Sequence, residues 1–302
     1  MAMRLLVPVD GSPCSEAALR FVAARSNLLE AHPQIDVLNV QYPIPPRPGR
    51  ALGADFVRAW HEAESGKVLK PAVAILKAAH LEPAWFHRVG NPGLEIAQWA
   101  EEHGADLIVM GSRGRTGRMN VLLGSVAQAV LAECRTPVLL IRRDTAPRRG
   151  SLRVGLALDG SEHSRAALDF TIAHRAFFGP RFNLQVAHVV DEMPIQLKTA
   201  LANLASTGFT HKEVRALRQD AYDRVLAPAR EALGRAGLEA GEEMLVGSNA
   251  GEALAAWAQR ARLDLLVMGS HGMSALKLVV LGSVAAGVGA RCSTPLLLVR
   301  PG

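Results

Sequence analysis

The second half of this chain of 302 residues repeats the first, and the duplication limits the folds that the chain can adopt. Three segments of the first half return in the same order in the second: 10–19 as 159–168, 106–114 as 264–272, and 123–127 as 281–285. Trp99 and Trp257 also correspond, and the spacing between equivalent residues stays constant from there onward. The sequence therefore predicts two copies of one domain.

The repeat assigns the two predicted domains to residues 1–145 and 151–302. Each is long enough to bury roughly 70% of the surface that its unfolded chain exposes. The junction, residues 144–150, contains Pro147 and Gly150 beside two arginines, a composition typical of an exposed linker.

Short apolar runs alternate with stretches of helical spacing in each half. Five such runs predict the strands of the first half: 4–9, 36–41, 82–89, 106–110 and 138–141. The alternation predicts an α/β fold of two tandem, doubly wound, Rossmann-like domains, each with a five-stranded parallel sheet and four helices. In such sheets ligands bind beyond the carboxyl ends of the strands, where the strand order reverses.

A glycine-rich loop follows the fourth predicted strand of each half, with the same spacing in both. The first loop has Gly111, Gly114 and the pair Gly124-Ser125, and the second has Gly269, Gly272 and the pair Gly282-Ser283. Such glycines let backbone N–H groups approach a polyanion without an intervening Cβ, and the Gly-Ser pair opens a helix whose free N–H groups favour phosphate. We expect a branched side chain at Gly114 or Gly272 to fill the space of a phosphate and to resist a positive φ.

The same residues also fit an interpretation without a ligand, in which the glycines end a strand and the serine caps a helix. Two copies with identical spacing weigh against that interpretation. Asp10 and Asp159, which end the first strand of each half, have two interpretations as well: a helix N-cap, or a carboxylate beside a ligand.

With this spacing in both halves, the chain resembles the universal stress protein family, in particular its two-domain members of the ATP-binding type. The resemblance extends from Arg4 to Val299. It implies a fold like that of the adenine nucleotide alpha hydrolases, with ATP in each half. By position, the resemblance implies these nucleotide-binding residues: Asp10, Val40, Gly111, Arg113, Gly114, Gly124, Ser125 and Val126, and then Asp159, Val189, Gly269, His271, Gly272, Gly282, Ser283 and Val284.

The resemblance also implies separate roles within this set. The loop glycines, the two serines, Val126 and Val284 belong to the phosphate end of the nucleotide. The backbone of Val40 and that of Val189 meet the edge of the adenine. Asp10 and Asp159 lie near the ribose and near a Mg²⁺ ion held by the nucleotide's phosphates.

The implied function is that of a cytoplasmic stress-response protein that senses or carries ATP, and whose choice of a protein partner depends on the bound nucleotide. The sequence does not identify that partner. An enzyme of the same fold, a slow ATPase or phosphotransferase, is the alternative, although no residue stands out as a catalytic base.

Assembly is predicted from the strands that end each half, 138–141 and 296–299. An apolar strand edge left unpaired is an aggregation hazard, so we expect these two strands to pair within the chain as a pseudo-dimer. A homodimer of whole chains is also compatible with the sequence.

Charge and composition limit the classes of partner and ligand that the chain can bind. The net charge of +6 favours anionic partners, but the arginines cluster at the loops and linker without interleaved aromatic residues, which disfavours nucleic acid. The longest apolar stretch, 278–290, is too short to span a membrane, and residues 1–10 contain no apolar segment typical of a secretion signal. P-loop, dinucleotide-binding and metal-binding motifs are all missing. We expect four residues in the core: Trp99, Trp257, Cys134 and Cys292.

The two loops differ in charge. Arg113, Arg115 and Arg118 stand in the first loop, whereas the second has His271 and Lys277. Arginine offers permanently charged, bidentate contacts to phosphate, and histidine is mostly neutral near pH 7. We therefore expect the first half to bind ATP more tightly than the second.

Overall fold

The computed structural model describes residues 3–28, 33–45, 47, 52–114, 123–146, 148–192, 211–272 and 281–301. Its strands are β1 (Arg4–Pro8), β2 (Gln34–Gln41), β3 (Ala84–Val89), β4 (Leu107–Gly111), β5 (Val138–Ile141), β6 (Arg153–Ala157), β7 (Asn183–Val190), β8 (Ala240–Val246), β9 (Leu265–Gly269) and β10 (Leu296–Val299). Its helices are α1 (Pro13–Ala23), α2 (Ala54–Lys77), α3 (Pro92–Glu102), α4 (Ser125–Glu133), α5 (Glu162–Ala173), α6 (Arg175–Phe178), α7 (His211–Arg235), α8 (Ala250–Arg260) and α9 (Ser283–Arg291).

One ten-stranded sheet runs through both halves, in the order β3-β2-β1-β4-β5-β10-β9-β6-β7-β8. All neighbouring strands within a half are parallel, as predicted. The halves meet at β5 and β10, which pair antiparallel with Leu297 opposite Leu139. The expected pairing of the last strands is thus confirmed, and each strand covers the apolar edge that the other half would otherwise expose.

The strands near the middle of the sheet are buried because helices cover both faces. α1, α2, α5, α6 and α7 pack on one face, and α3, α4, α8 and α9 pack on the other. The hydrophobic cluster on each face includes residues of both halves. Phe21 and Phe177, for example, place their ring centroids 6.2 Å apart across the junction. The four predicted core residues are all buried on the second face: Trp99, Trp257, Cys134 and Cys292.

Side-chain caps fix where most of the shorter helices begin. The Oγ atom of Ser12 accepts a hydrogen bond from the Ser15 N–H at 3.2 Å, and Pro13 takes the first helical position of α1, where no N–H is required. Asn91 caps α3 by accepting from the Gly93 N–H at 3.0 Å. The Ser12 cap begins α1 at Pro13. The apolar spacing of the sequence alone indicates a start at Ser15, two residues later.

The structure also tests the predicted number of helices and the predicted linker. Among the described residues of the second half, the single turn α6 is a fifth helix, where four were expected. Phe177 and Phe178, in this turn, are buried in the hydrophobic cluster on the first face of the sheet. The sequence did not predict the turn because four residues are too few to show a helical periodicity. The described linker residues 144–146 and 148–150 are exposed or half-exposed, as expected. Within the described ranges, no helix has the length and apolar content that a membrane crossing requires.

Candidate functional site

A cavity opens at the carboxyl edge of the sheet in each half, at the point where the strand order reverses. In the first half this point lies between β1 and β4, and in the second it lies between β6 and β9. The cavities have volumes of about 730 and 590 Å³, a size typical of small-molecule sites.

Every residue of the predicted nucleotide-binding set lines one of these cavities. Eight line the first: Asp10, Val40, Gly111, Arg113, Gly114, Gly124, Ser125 and Val126. Eight line the second: Asp159, Val189, Gly269, His271, Gly272, Gly282, Ser283 and Val284. The fold therefore brings together residues from four separate segments of each half.

The glycines of the loop lie where its backbone meets the beginning of α1 and the end of β1. A Cβ on Gly111 would lie 2.7 Å from the Cβ of Cys14, and a Cβ on Gly114 would lie 2.8 Å from Asp10 Oδ2. A Cβ on Gly111 would also meet backbone atoms of Cys14 and Ser15 at 2.8 and 2.9 Å, so only glycine fits there. At Gly114 the close atom is a side-chain oxygen, so a larger residue would have to push the Asp10 carboxylate aside.

The second half repeats this geometry. A Cβ on Gly269 would lie 2.7 Å from that of His163, and a Cβ on Gly272 would lie 2.7 Å from Asp159 Oδ2. The expectation of a positive φ at Gly114 and Gly272 is wrong, because neither residue has a left-handed φ. Close approach of backbone atoms therefore requires glycine at Gly111 and Gly269, and close approach of an aspartate oxygen disfavours a side chain at Gly114 and Gly272.

The helix that follows each loop begins without a side-chain cap. Gly124 is the N-cap of α4 and Gly282 is the N-cap of α9, and neither position makes a side-chain cap hydrogen bond. The first backbone bond of α4 runs from the Gln128 N–H to the Gly124 carbonyl at 3.0 Å. The N–H groups of Ser125 and Val126 come before that bond and have no intrahelical acceptor. Since both residues line the cavity, α4 presents free donors and its positive end to this space.

Asp10 and Asp159 lie between a capped helix and a glycine loop. Asp10 Oδ1 accepts a hydrogen bond from the Ser12 N–H at 3.0 Å, and Asp159 Oδ1 accepts from the Ser161 N–H at 3.0 Å. The N-caps of α1 and α5 are Ser12 and Ser161 themselves, so the N-cap interpretation of the two aspartates is wrong. The second oxygen of each carboxylate abuts the loop glycine at the cavity wall.

These aspartates are also the predicted contacts to magnesium. In the part of the chain that the structure describes, no three His, Cys, Asp or Glu side chains group as a metal site requires. A Mg²⁺ ion beside Asp10 or Asp159 would therefore take its other ligands from phosphate and water, which is its ordinary coordination with nucleotides.

The opposite end of each cavity lies at the end of the second strand. Val40 and Val189 are half-buried there and pack against the second-face cluster. Asn39, beside Val40, donates from Nδ2 to the Val9 carbonyl at 2.7 Å and accepts from Gln41 Nε2 at 2.7 Å.

The sequence analysis did not select Asn39, Gln41 or His188, which also line the cavities. His188, the equivalent of Asn39, places Nδ1 2.7 Å from the Leu158 carbonyl. That carbonyl only accepts, so Nδ1 bears the hydrogen, and burial lowers the pKa of the imidazole. The sequence does contain a signal for Asn39 and His188, because both are polar residues at the same position of an otherwise apolar strand.

Comparison with known proteins agrees with the repeat and with the fold. The sequence model of the universal stress protein family matches residues 1–142 and again residues 151–300. The chain belongs to the universal stress protein family.

Relatives of this universal stress protein match over different lengths. A universal stress protein of Mycolicibacterium smegmatis is 25% identical over 98% of this chain and 97% of its own length. One from Methanocaldococcus jannaschii is 48% identical over 54 residues, which span 18% of this chain and only 32% of that protein. The crystal structure of a universal stress protein from Archaeoglobus fulgidus shares the fold, with a TM-score of 0.68, 21% identity and coverage of 99% and 96% of the two chains.

The two sites of this universal stress protein differ in the charged groups around the loop. In the second half, His271 Nδ1 lies 3.1 Å and His163 Nδ1 lies 3.4 Å from Ser270 Oγ, and the two rings are 5.2 Å apart. Burial, together with the nearby positive charges of His271 and Arg300, lowers the pKa of His163.

The first half has Cys14, Ser112 and Arg113 at the equivalent positions. The Nε atom of Arg113 is buried and makes no hydrogen bond within the described structure. The remaining loop charges named above, Arg115, Arg118 and Lys277, lie outside the described residues.

Proposed function

We propose that this universal stress protein binds one ATP in each half and acts in the cytoplasm as a nucleotide-dependent sensor or interaction module. The supporting observation is that a glycine-capped helix N-terminus occurs at both switch points together with a loop whose first glycine, Gly111 or Gly269, has no room for a Cβ. This combination leaves backbone N–H donors at a cavity wall, and a polyphosphate is the ligand that such donors favour.

The residues at one end of each cavity suit the phosphates of a nucleotide, and those at the other end suit its base. In the first half, the phosphates would lie on the N–H groups of Ser125 and Val126, with Asp10 near the ribose and a phosphate-bound Mg²⁺. The base would lie at the end of β2, against the backbone of Val40. The resemblance to the ATP-binding type of this family supports adenine as that base.

The second half offers the same arrangement, with Ser283, Val284, Asp159 and Val189 in the corresponding places. We also propose residues 1–145 and 151–302 as the two domains, each with its own site. Bound nucleotide would change the surface at the first turn of α4 or α9, and this surface is what a protein partner would recognise.

Identifying the nucleotide that co-purifies with the full chain tests the proposal. The protein is purified without added nucleotide, precipitated with acid, and the released small molecules are separated and weighed by mass spectrometry. We expect ATP in the released fraction, and none from the double variant Gly114→Val/Gly272→Val. A wild-type chain that releases no nucleotide and also binds no added ATP would contradict the proposal.

The enzyme alternative is tested on the same material. The chain is incubated with excess ATP and Mg²⁺, and ADP is quantified over several hours. A binding protein keeps the nucleotide largely intact, whereas many turnovers per chain, lost in the double variant, would favour the ATPase.

A further inference from the structure

Two arginines occupy equivalent positions directly after the last strand of each half, and each reaches into the other half. Arg300 follows β10, and its Nη1 lies 3.4 Å from the carbonyl oxygens of Ala132 and Cys134 at the end of α4. Arg142 follows β5, and its Nη2 donates to the Gly289 carbonyl in the last turn of α9. The antiparallel pairing of β5 and β10 makes these contacts reciprocal.

Each arginine also lies beside the phosphate loop of its own half. Arg300 Nε donates to Ser270 Oγ at 3.3 Å, and the same oxygen lies 3.1 Å from His271 Nδ1. In the first half, the Ser112 N–H donates to the carbonyl of Ile141, the residue before Arg142, at 2.8 Å. Burial, together with the charge of Arg113, lowers the pKa of Arg142.

The helices that the arginines contact are the ones that begin at the opposite cavity. α4 ends at the Arg300 contacts, and its N-terminus, at Ser125, forms part of the first cavity. α9 ends near the Arg142 contact and begins at Ser283 in the second cavity. A helix of this length is a rigid rod, so its two ends are held in one orientation. A cation among its last carbonyls also interacts favourably with the helix dipole.

We propose that Arg142 and Arg300 couple the two sites, so that ATP in one half strengthens the binding of ATP in the other. This inference rests on the proposed function. ATP in the second half would contact Ser270 and His271, which line its cavity, and would so restrain Arg300 and, through it, the end of α4. The first site is then ordered in advance, and its ligand loses less conformational entropy on binding. Arg142 and α9 form a second, equivalent link between the halves, and by linkage the coupling has the same size in both directions.

Thermodynamic comparison of one-site and two-site chains measures this coupling. Titration calorimetry gives the two ATP dissociation constants of the wild type and the single constants of Gly114→Val and Gly272→Val. The product of the two wild-type constants should be about fivefold smaller than the product of the two single-site constants, a coupling at the lower end of the usual range.

The same set of measurements is repeated with both arginines replaced, as Arg142→Lys/Arg300→Lys. Lysine keeps the positive charge at the helix end but lacks the fork that spans a serine and a carbonyl, so the fold is retained and the ratio should fall to one. Arg143→Ala, an exposed arginine beside Arg142, is the matched control and should keep the fivefold ratio.

Failure of the coupling is distinguishable from failure of the proposed function. Two bound ATP molecules with a ratio of one in the wild type would overturn the coupling and leave the binding proposal intact. A fivefold ratio that persists in the double lysine variant would overturn the role of the two arginines. No ATP binding by the wild type would overturn both proposals.

Discussion

At Gly114 the backbone of the glycine loop lies against the carboxylate of Asp10, and a Cβ would be 2.8 Å from Oδ2. Valine at this position must displace either the backbone at Gly114 or the carboxylate, and Gly114 itself belongs to neither hydrophobic cluster. Gly114→Val should therefore remove ATP from the first half alone and leave the circular dichroism and thermal unfolding of the chain nearly unchanged. Titration calorimetry should count one ATP per chain where the wild type has two.

Gly241 in the edge strand β8 offers a matched control for this substitution. A Cβ there would meet its nearest neighbour at 3.7 Å, an ordinary contact. Gly241→Val should bind two ATP molecules. Normal binding by both Gly114→Val and Gly272→Val would show that the loop has a structural role and holds no phosphate.

We predict that His163 makes the proposed ATP binding in the second half depend on pH. Burial, His271 and Arg300 hold the pKa of His163 below its usual 6.5, while the carboxylates of Glu162 and Asp159 oppose that shift. The imidazole is therefore neutral in the free protein near pH 7. A triphosphate favours the protonated form, so binding should take up protons and tighten as the pH falls from about 8 to about 6.

The two single-site variants isolate this effect. Gly114→Val reports the second half, and Gly272→Val reports the first, which has Cys14 and Arg113 in place of His163 and His271. Protonation of ATP itself influences both variants equally, so the ratio of their affinities measures the protein's contribution. We expect the ratio to shift toward the second half by about threefold, less than the tenfold per pH unit that one fully coupled proton allows. A ratio that does not change with pH would exclude a role for His163.

Arg113 should give the first half the higher affinity at neutral pH. A partly exposed, charge-assisted contact to phosphate contributes on the order of 1 kcal/mol, which corresponds to roughly a fivefold ratio. Because salt screens such contacts, the advantage should shrink between low and moderate ionic strength. Affinities that are equal at both ionic strengths would mean that Arg113 does not reach the phosphates.

At the scale of single elements, the junction between β5 and β10 determines whether the halves unfold together. Leu139 and Leu297 face each other in the antiparallel register, and both are fully buried. Leu297→Ala should lower the free energy of unfolding by about 2–5 kcal/mol, the usual cost of such a cavity. Urea denaturation should show the loss as an earlier transition shared by both halves.

The exposed Leu94 at the start of α3 is the control for this measurement. It is 43% exposed, and Leu94→Ala should change the free energy of unfolding by less than about 0.5 kcal/mol. Two separate transitions in Leu297→Ala, with only one of them moved, would show that the halves unfold independently.

The elements and the location of the site were predictable because both follow from local patterns. The apolar runs and the repeated glycine spacing identify the strands, and the end of β4 fixes where the loop must lie. The caps at Ser12 and Ser161 were not predicted, because Asp10 and Asp159 occupy similar positions and compete for the same role. The contact between Gly114 and Asp10 joins residues far apart in sequence, so the sequence indicated a glycine there but not its physical reason.

The contacts between the two halves could not be predicted from the sequence either, because they too join residues that are far apart in the chain. Arg142 and Arg300 look like ordinary charged residues after a strand. Their partners, Gly289 and Ala132, become neighbours only when β5 and β10 pair. The apolar edges of the last strands predicted that pairing, but not what the side chains beside it would touch.

For the whole molecule, the continuous sheet and the shared hydrophobic clusters make the chain one structural unit with two sites. A half expressed alone would expose the apolar edge of β5 or β10 and part of each cluster. Binding in each half is therefore best measured on full chains in which the other site has been disabled by a single substitution.

The number of ATP molecules bound per chain tests the central claim most directly. Both halves have the glycine loop, the glycine-capped helix and the aspartate at the cavity wall, so both should bind. Titration calorimetry of nucleotide-free wild-type protein with ATP and Mg²⁺ should give a stoichiometry of two, falling to one in Gly114→Val and in Gly272→Val. A wild-type stoichiometry of one, or no heat of binding at all, would contradict the account.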